Sequence, residues 1–400
     1  MNILMIWEER PSPYSGAALP AFNVLKHLSR SHTIRLLYLD DDLAASRSYP
    51  ELESYCSQID PVPWHPQSQG RQLLSVARDS FAPRKLFSDY RSFLTTKYSL
   101  AMASLIQEAR HAKFDVVYAS GPVAFYAWRF STPKVMHAFD CTSAMYYQEY
   151  LRAWKPVDKL YWLCTYLSTR TEEKKLLAAF DASIVVSDEE YHAMKLLCPE
   201  ARCTVVPNGV DLDFFKPLEI GEEWPSLVFI GHMSSPPNVD AIKYFHSQVY
   251  EVLKRRFPGL KLFVVGQDPS PAIRALANDP SICVTGFVKD VRPYVARASV
   301  IIAPFVSGPG IKNKVLEAMA MGKPVVATSI GVRGINATHG DHLYIADNPV
   351  KFADQAEALL QDEAKRRRIG HHAREFVEKH HAWARVTDKI DAIFHEVQNG

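Results

Sequence analysis

Residues 303–328 carry the densest chemistry in the chain: Ala303-Pro-Phe-Val-Ser-Gly-Pro-Gly-Ile-Lys-Asn-Lys-Val-Leu-Glu-Ala-Met-Ala-Met-Gly-Lys-Pro-Val-Val-Ala-Thr328. A short apolar strand ends at Pro304. Gly308, Pro309 and Gly310 then make a tight loop, and a helix is expected to start near Asn313. Glycine lets backbone amides approach a ligand, and a helix N-terminus presents free N–H groups with a partial positive charge. Lys312 and Lys314 add two full charges at that point. Together these groups suit an anion such as a diphosphate. One turn on, Glu317 projects from the same end of the helix, where a carboxylate can accept hydrogen bonds from two ribose hydroxyls. Gly322 closes the helix and Pro324 enters the next strand. A bare strand–loop–helix unit of a parallel sheet needs neither the two lysines nor the acid, so the combination points to nucleotide binding.

The elements that must position these groups alternate along the chain. Ile3–Trp7, Ile34–Leu39, Asp115–Ala119, Lys134–His137, Ala182–Ser187 and Cys203–Val206 read as buried strands, with helices at Ala18–Leu28 and Ser168–Ala179. A second series follows: strands at Leu227–Gly231, Leu260–Gly266, Ile282–Thr285, Val300–Pro304 and Val325–Thr328, with helices near Asp240–Phe257, Ala272–Asn278 and Asn313–Met321. Strands alternating with helices argue for an α/β protein with parallel sheets covered on both faces. Two such series predict two Rossmann-like domains. The expected boundaries are 1–207, joined by a last helix at 383–400, a linker at 208–224, and 225–382. In such sheets ligands sit beyond the carboxyl ends of the strands, which puts the expected substrate site in a cleft between the domains.

Composition limits the alternatives. The chain has 400 residues, 47% hydrophobic and 22% charged, with a formal net charge of +2. That excludes intrinsic disorder and gives no reason to expect a nucleic-acid partner. Six scattered cysteines without Cys-x-x-Cys spacing suit reduced thiols in a reducing compartment. The apolar run at Met1–Trp7 is too short for a signal peptide, and no stretch reaches the about 18 apolar residues of a membrane span. The expectation is a cytoplasmic protein, with the inner face of the membrane as a further location. Asp211-Leu-Asp213 is an Asp-x-Asp, a pattern that elsewhere holds a divalent metal. Here it lies in an Asn-Gly turn, so turn chemistry is the reading preferred. No metal site is expected.

Several motifs resemble one enzyme family. Lys314-Val-Leu-Glu-Ala-Met-Ala-Met-Gly-Lys-Pro-Val-Val-Ala-Thr328 is similar to the donor-nucleotide segment of family 4 retaining glycosyltransferases. Asn208-Gly-Val-Asp-Leu-Asp-Phe-Phe-Lys-Pro217 resembles their interdomain segment. Phe229-Ile-Gly-His-Met, Pro237-Asn-Val-Asp-Ala-Ile and Val284-Thr-Gly-Phe-Val-Lys-Asp-Val-Arg-Pro-Tyr294 resemble bacterial sugar transferases of exopolysaccharide clusters. The resemblance is looser in the N-terminal half. It implies the GT-B fold, a UDP- or GDP-sugar donor, and a hydroxyl acceptor on a saccharide or lipid-linked saccharide. It also implies retention by front-face attack, without a metal. By the same resemblance Glu317 binds the ribose, and Gly308, Gly310, Ile311, Lys312, Asn313 and Lys314 meet the diphosphate and sugar. Gly286, Phe287 and Val288 hold the base, Gly231 and His232 flank the diphosphate, and Gly16 lets the acceptor domain approach it.

Two departures stand out. Pro309 occupies a position where many members have Glu. His232 stands where many have Arg, and the position of a second family cation falls within Ser234–Pro237. Lys312 and Lys314 are expected to supply the missing charge, which the leaving diphosphate needs. The family often places a His beside the transferred sugar. Here His137 or Asp140 takes that role, with Asp140 preferred. Glu173 either faces the substrate or belongs to a solvated helix face. From Arg71 to Lys113 eight basic residues interleave with aromatics. That segment either rests on an anionic bilayer or is a solvated helical face with core aromatics. Arg366-Arg-Arg368 reads as an exposed helix face. Two other readings stay open: a nucleotide-sugar epimerase of the same fold, and a nucleotide-sugar-binding protein that has lost catalysis.

Overall fold

A computed structural model describes residues 1–13, 18–40, 50–64, 99–308 and 310–399. The chain divides into two units: Met1–Val206 with Thr387–Gly400, and Pro207–Val386.

The first unit is built on β1 (Asn2–Trp7), β2 (Thr33–Asp40), β3 (Gln58–Pro63), β4 (Val116–Ser120), β5 (Lys134–Phe139), β6 (Ala182–Val185) and β7 (Cys203–Val205). Among the described residues these form one sheet in the order β3-β2-β1-β4-β5-β6-β7. Neighbouring strands pair in parallel throughout. The central strands are apolar runs buried along nearly their whole length, as helices on both faces require. Strand β3 escapes a sequence reading because Pro61 and Pro63 interrupt it. It lies at the sheet edge, where a missing N–H is tolerated. The helix expected over Ser168–Ala179 begins a dozen residues earlier and spans Pro156–Ala179. It packs against the helix Thr142–Arg152, with Tyr146 stacked on Trp162 at 5.7 Å between ring centroids.

The second unit carries β8 (Ser226–Ile230), β9 (Lys261–Val265), β10 (Ile282–Gly286), β11 (Val300–Ala303), β12 (Val325–Ala327) and β13 (Tyr344–Ile345). Their order among the described residues is β10-β9-β8-β11-β12-β13, again parallel. The chain winds outward from β8 to β10, then returns to place β11 on the other side of β8. This reversal opens a crevice beyond the carboxyl ends of β8 and β11, the point where such sheets take ligands. Gly231 and His232 follow β8, and the glycine loop with Lys312, Lys314 and Glu317 follows β11.

The segment expected as a linker packs on the second unit. Val210 joins its core and bridges to Ala382, while Trp224 Nε1 donates to the Leu360 carbonyl at 2.8 Å. The last helix, Trp383–Asn399, starts in the second unit and runs on into the first. There the Phe394 ring lies 5.1 Å from that of Tyr118, and Asp391 meets His32 at 2.8 Å. Arg366 corrects the reading of an exposed basic face: it is 6% exposed. Its guanidinium donates to the Leu359 and Leu360 carbonyls and to Glu222, so it caps the helix Pro349–Gln361.

The helix Glu363–His380 touches the turn at Gly322 through Gly370, where an added Cβ would fall 2.0 Å from the Gly322 carbonyl oxygen. Gly370→Ala is expected to cost about 1–3 kcal/mol through overpacking. Gly221, with nothing within 4 Å, should accept alanine without loss. Thermal denaturation of the two variants checks this, and equal melting temperatures would contradict it.

Candidate functional site

The β11 loop is shaped by its glycines. Gly308 has φ +105° and Gly310 has φ +67°, a left-handed region that side chains with a Cβ avoid. Pro309 lies outside the described residues. Lys312, 9% exposed, turns back into this loop, and its ammonium donates to the carbonyls of Gly308 and Gly310, both at 3.1 Å. Lys312 is therefore a strut that holds the loop closed. Asn313, first residue of the helix Asn313–Ala320, accepts from Asn208 Nδ2 at 3.1 Å. That bond ties the helix start to the Asn-Gly turn. Ile311 packs on the apolar core beneath.

Lys314 is placed differently. Its ammonium donates to Asn238 Oδ1 at 2.7 Å and lies over two rings, 5.1 Å from the centre of Phe305 and 5.6 Å from that of Phe229. Burial pulls its pKa down to about 8 from 10.5; nearby Glu317 opposes the shift and Lys312 adds to it. Glu317 sits three residues on, the spacing that brings side chains together on a helix. Burial pushes its carboxyl up to about 7 from 4.5, against the pull of Lys314. Among the described residues no hydrogen-bond donor is recorded on that carboxylate. The pair is thus incompletely solvated and incompletely partnered. An anion would restore the charge on the lysine, and hydroxyl donors would restore it on the acid.

The other predicted groups of this unit line up along the strand ends. Gly231 leaves room for Lys314: a Cβ there would fall 2.9 Å from the ammonium nitrogen. His232 is exposed and pairs with Ser234 Oγ at 2.9 Å and Asp268 at 3.2 Å. Gly286 ends β10 with φ +68° and open space beside it. Phe287 is 74% exposed, an aromatic face at a strand end, and Val288 packs partly on the core. Asp211 Oδ1 accepts from the amides of Asp213 and Phe214, both at 3.0 Å, so the Asp-x-Asp builds a turn.

In the first unit His137 is a core group, 3% exposed. Its Nδ1 shares a hydrogen bond with the Tyr118 hydroxyl, and its ring stacks on Phe139 at 4.0 Å. Nε2 is buried with no hydrogen-bond partner among the described residues. Burial lowers its pKa to about 3, so the imidazole stays neutral. Asp140 follows Phe139, which is held at φ +56°. That strained residue turns the chain from β5 into the helix Thr142–Arg152. Glu173 is neither solvated nor free. Its oxygens accept the amides of Thr142 at 2.6 Å and Ser143 at 3.0 Å, and Glu190 accepts that of Cys141 at 2.5 Å. Two acids from distant helices thus cap one helix N-terminus. Burial raises the Glu173 pKa, against these hydrogen bonds. Asp140, Thr142, Thr169 and Glu173 line one cavity.

Gly16 and residues 71–98 lie outside the described residues. The described part of that segment contains the helix Leu100–Ala109, which carries no Lys or Arg and buries Met102, Ile106 and Ala109. Asn238, Phe229 and Phe305 were not legible as site residues, because only the fold carries them under Lys314. Among the described residues no helix is long and apolar enough to cross a membrane.

Comparison with known proteins bears on both units. Residues 14–214 match the family described as Glycosyltransferase Family 4, and residues 224–362 match Glycosyl transferases group 1. An uncharacterized protein from the cps region of Klebsiella pneumoniae is 22% identical over 58% of this chain and 61% of its own length. A phosphatidyl-myo-inositol mannosyltransferase of Mycolicibacterium smegmatis is 26% identical over 48% of this chain and 51% of its own. The chain thus spans about half to three-fifths of these relatives' lengths. Two solved structures share the fold over nearly their full lengths: Anabaena HepE in complex with UDP (TM-score 0.66, 16% identity, 99% of this chain and 100% of that one) and sucrose-phosphate synthase from Thermosynechococcus elongatus (0.71, 15%, 99% of each). The architecture is that of the GT-B proteins.

The Glu317 shift fixes a sign. Its folded pKa is raised, so its contribution to stability is full below 4.5 and is lost as pH rises through about 7. Glu317→Gln carries no such loss. Without ligand the variant should melt close to the wild type in acid and above it at alkaline pH, by on the order of 1–3 kcal/mol. A melting difference that stays constant across this range would overturn the assignment.

Proposed function

The chain belongs to glycosyltransferase family 4, and from that premise we propose that it moves a hexose from a nucleoside-diphosphate sugar to a hydroxyl of a saccharide or lipid-linked saccharide. The observation that carries this reading is the half-dehydrated pair Lys314 and Glu317 at the start of the helix after β11. The acid takes the ribose hydroxyls. The lysine faces the diphosphate and neutralises charge as it leaves. Lys312 keeps the loop amides in place, and Gly286 with Phe287 offers backbone and an aromatic face to the base. UDP bound to Anabaena HepE makes uridine nucleotides the first donors to examine.

The transfer retains configuration by front-face attack. The acceptor oxygen bonds to the anomeric carbon as the bond from that carbon to the leaving phosphate oxygen breaks. The departing oxygen takes the acceptor proton. No protein nucleophile enters, so the enzyme works by positioning and by stabilising the leaving charge. We assign that stabilisation to Lys314 and no step to a metal. The acceptor falls to the first unit, with Asp140 at the turn after β5 as the group that orients a hydroxyl. His137, neutral and enclosed, positions that turn through its stack on Phe139. The cps-region relative supports exopolysaccharide synthesis as the setting.

Nucleotide affinity tests the core of this reading. An ionised Glu317 accepts charge-assisted bonds, so UDP should bind more weakly as pH falls through about 7. Glu317→Gln should lose roughly 10–100-fold in affinity just above neutral pH and no longer weaken as pH falls through about 7. Thermal shift with UDP, GDP and their sugars measures both. Binding of UDP-sugars and GDP-sugars that is insensitive to Glu317→Gln would refute the assignment.

A further inference from the structure

The first unit carries a helical hairpin whose end is apolar and unburied. The helices Thr142–Arg152 and Pro156–Ala179 meet in a short turn at Trp154. Trp154 is 84% exposed, Val157 73%, Leu160 58% and Leu151 53%. Within 151–160 all residues but Ala153 are exposed, so the tip is bare on every side. Such exposure of large apolar groups in a soluble domain marks an interaction surface.

Charge and aromatic placement identify the phase. Arg152, Lys155 and Lys159 surround the tip, against Glu149 and Asp158, and Glu149 is taken up by Arg152 at 3.2 Å. The Lys155 ammonium stands 5.5 Å from the Trp154 ring centre and that of Lys159 5.3 Å from Tyr150. The lysine stems therefore lie along apolar surface while their heads stay in water. Behind the tip comes a band of rings with polar ends, where Tyr147 packs on Tyr166 at 5.1 Å. At 1.5 Å per residue, Tyr147 lies about 10 Å from Trp154 along the hairpin. Interfacial elements bury their apolar parts about 5–10 Å below the surface, so a tip at that depth leaves these rings at the headgroup level, where amphipathic rings collect. An apolar end, a cationic collar and an aromatic band match the order of an anionic bilayer surface from inside to outside.

We propose that this hairpin tip inserts into the interface of a bilayer containing anionic phospholipid. The inference does not depend on the reaction catalysed. The test is flotation of the full chain with vesicles of phosphatidylcholine alone and of equal parts phosphatidylcholine and phosphatidylglycerol. The wild type should float with the mixed vesicles, more weakly as salt rises, and less with the neutral ones. The double substitution Trp154→Ser and Val157→Ser should weaken partitioning roughly tenfold or more. Its melting temperature and UDP-induced shift should stay unchanged. Lys155→Glu with Lys159→Glu should lose the preference for the anionic vesicles. Both variants leave the basic stretch from Arg71 intact. Flotation that survives the double substitution therefore overturns the proposal. So does a chain that ignores vesicles but elutes as an oligomer until the tip is substituted, which makes a second copy the occupant.

Discussion

Dehydration of two opposite charges at the end of β11 is the constraint around which the second unit is arranged. Lys314 and Glu317 lose water without gaining a full set of partners, which pulls one pKa down and pushes the other up. A pair of opposite charges dehydrated without a direct salt bridge between them is poor evidence for stability, since desolvation offsets much of the attraction. What keeps this one in place is the surrounding frame: Asn238 holds the ammonium, two phenylalanine rings lie beneath it, and Gly231 leaves the space it occupies. The two strands whose ends carry it, β8 and β11, are buried along their whole length. The site thus carries a cost that an anion beside the lysine and hydroxyl donors on the acid would relieve.

Lys312 and Lys314 show how two equal charges come to do unequal work. They stand two residues apart at a helix start, so their side chains leave the axis in nearly opposite directions. One folds onto the carbonyls of its own loop, and the other passes under the strand ends toward Asn238. Composition and spacing do not separate them, because both sit in the same motif with the same charge. The difference lies in which side of the helix faces the sheet.

The same division explains what was readable from the sequence. The buried strands, the alternation of strand and helix and the loop after β11 follow from continuous apolar runs and glycine placement, which are local signals. Strand β3 hides behind its prolines. The helix Thr142–Arg152 hides because its buried surface is small, with Ser143 its one buried side chain. Glu173 and Glu190 lie 30 to 50 positions from the amides they cap. No periodicity reports a contact of that separation, and an acid on a helix reads as solvated until the fold brings the orphan amides to it. Val210 likewise looks like part of a linker and becomes core only because the chain doubles back to Ala382.

Depth then sorts the cations of this chain into two kinds. The ammonium of Lys314 is dehydrated, held by a fixed oxygen and little screened, so it acts over a short range on one bound group. Lys155 and Lys159 are exposed to water and largely screened beyond about 8 Å at physiological ionic strength. They suit a broad, fluid, negatively charged surface rather than a single anion. A net charge near zero is compatible with both, since each depends on where its lysines are placed and how far water reaches them. The apolar residues divide in the same way. Those under Lys314 lower its hydration and so sharpen one interaction. Those at the hairpin tip are left in water by the first unit, so their burial depends on something outside it.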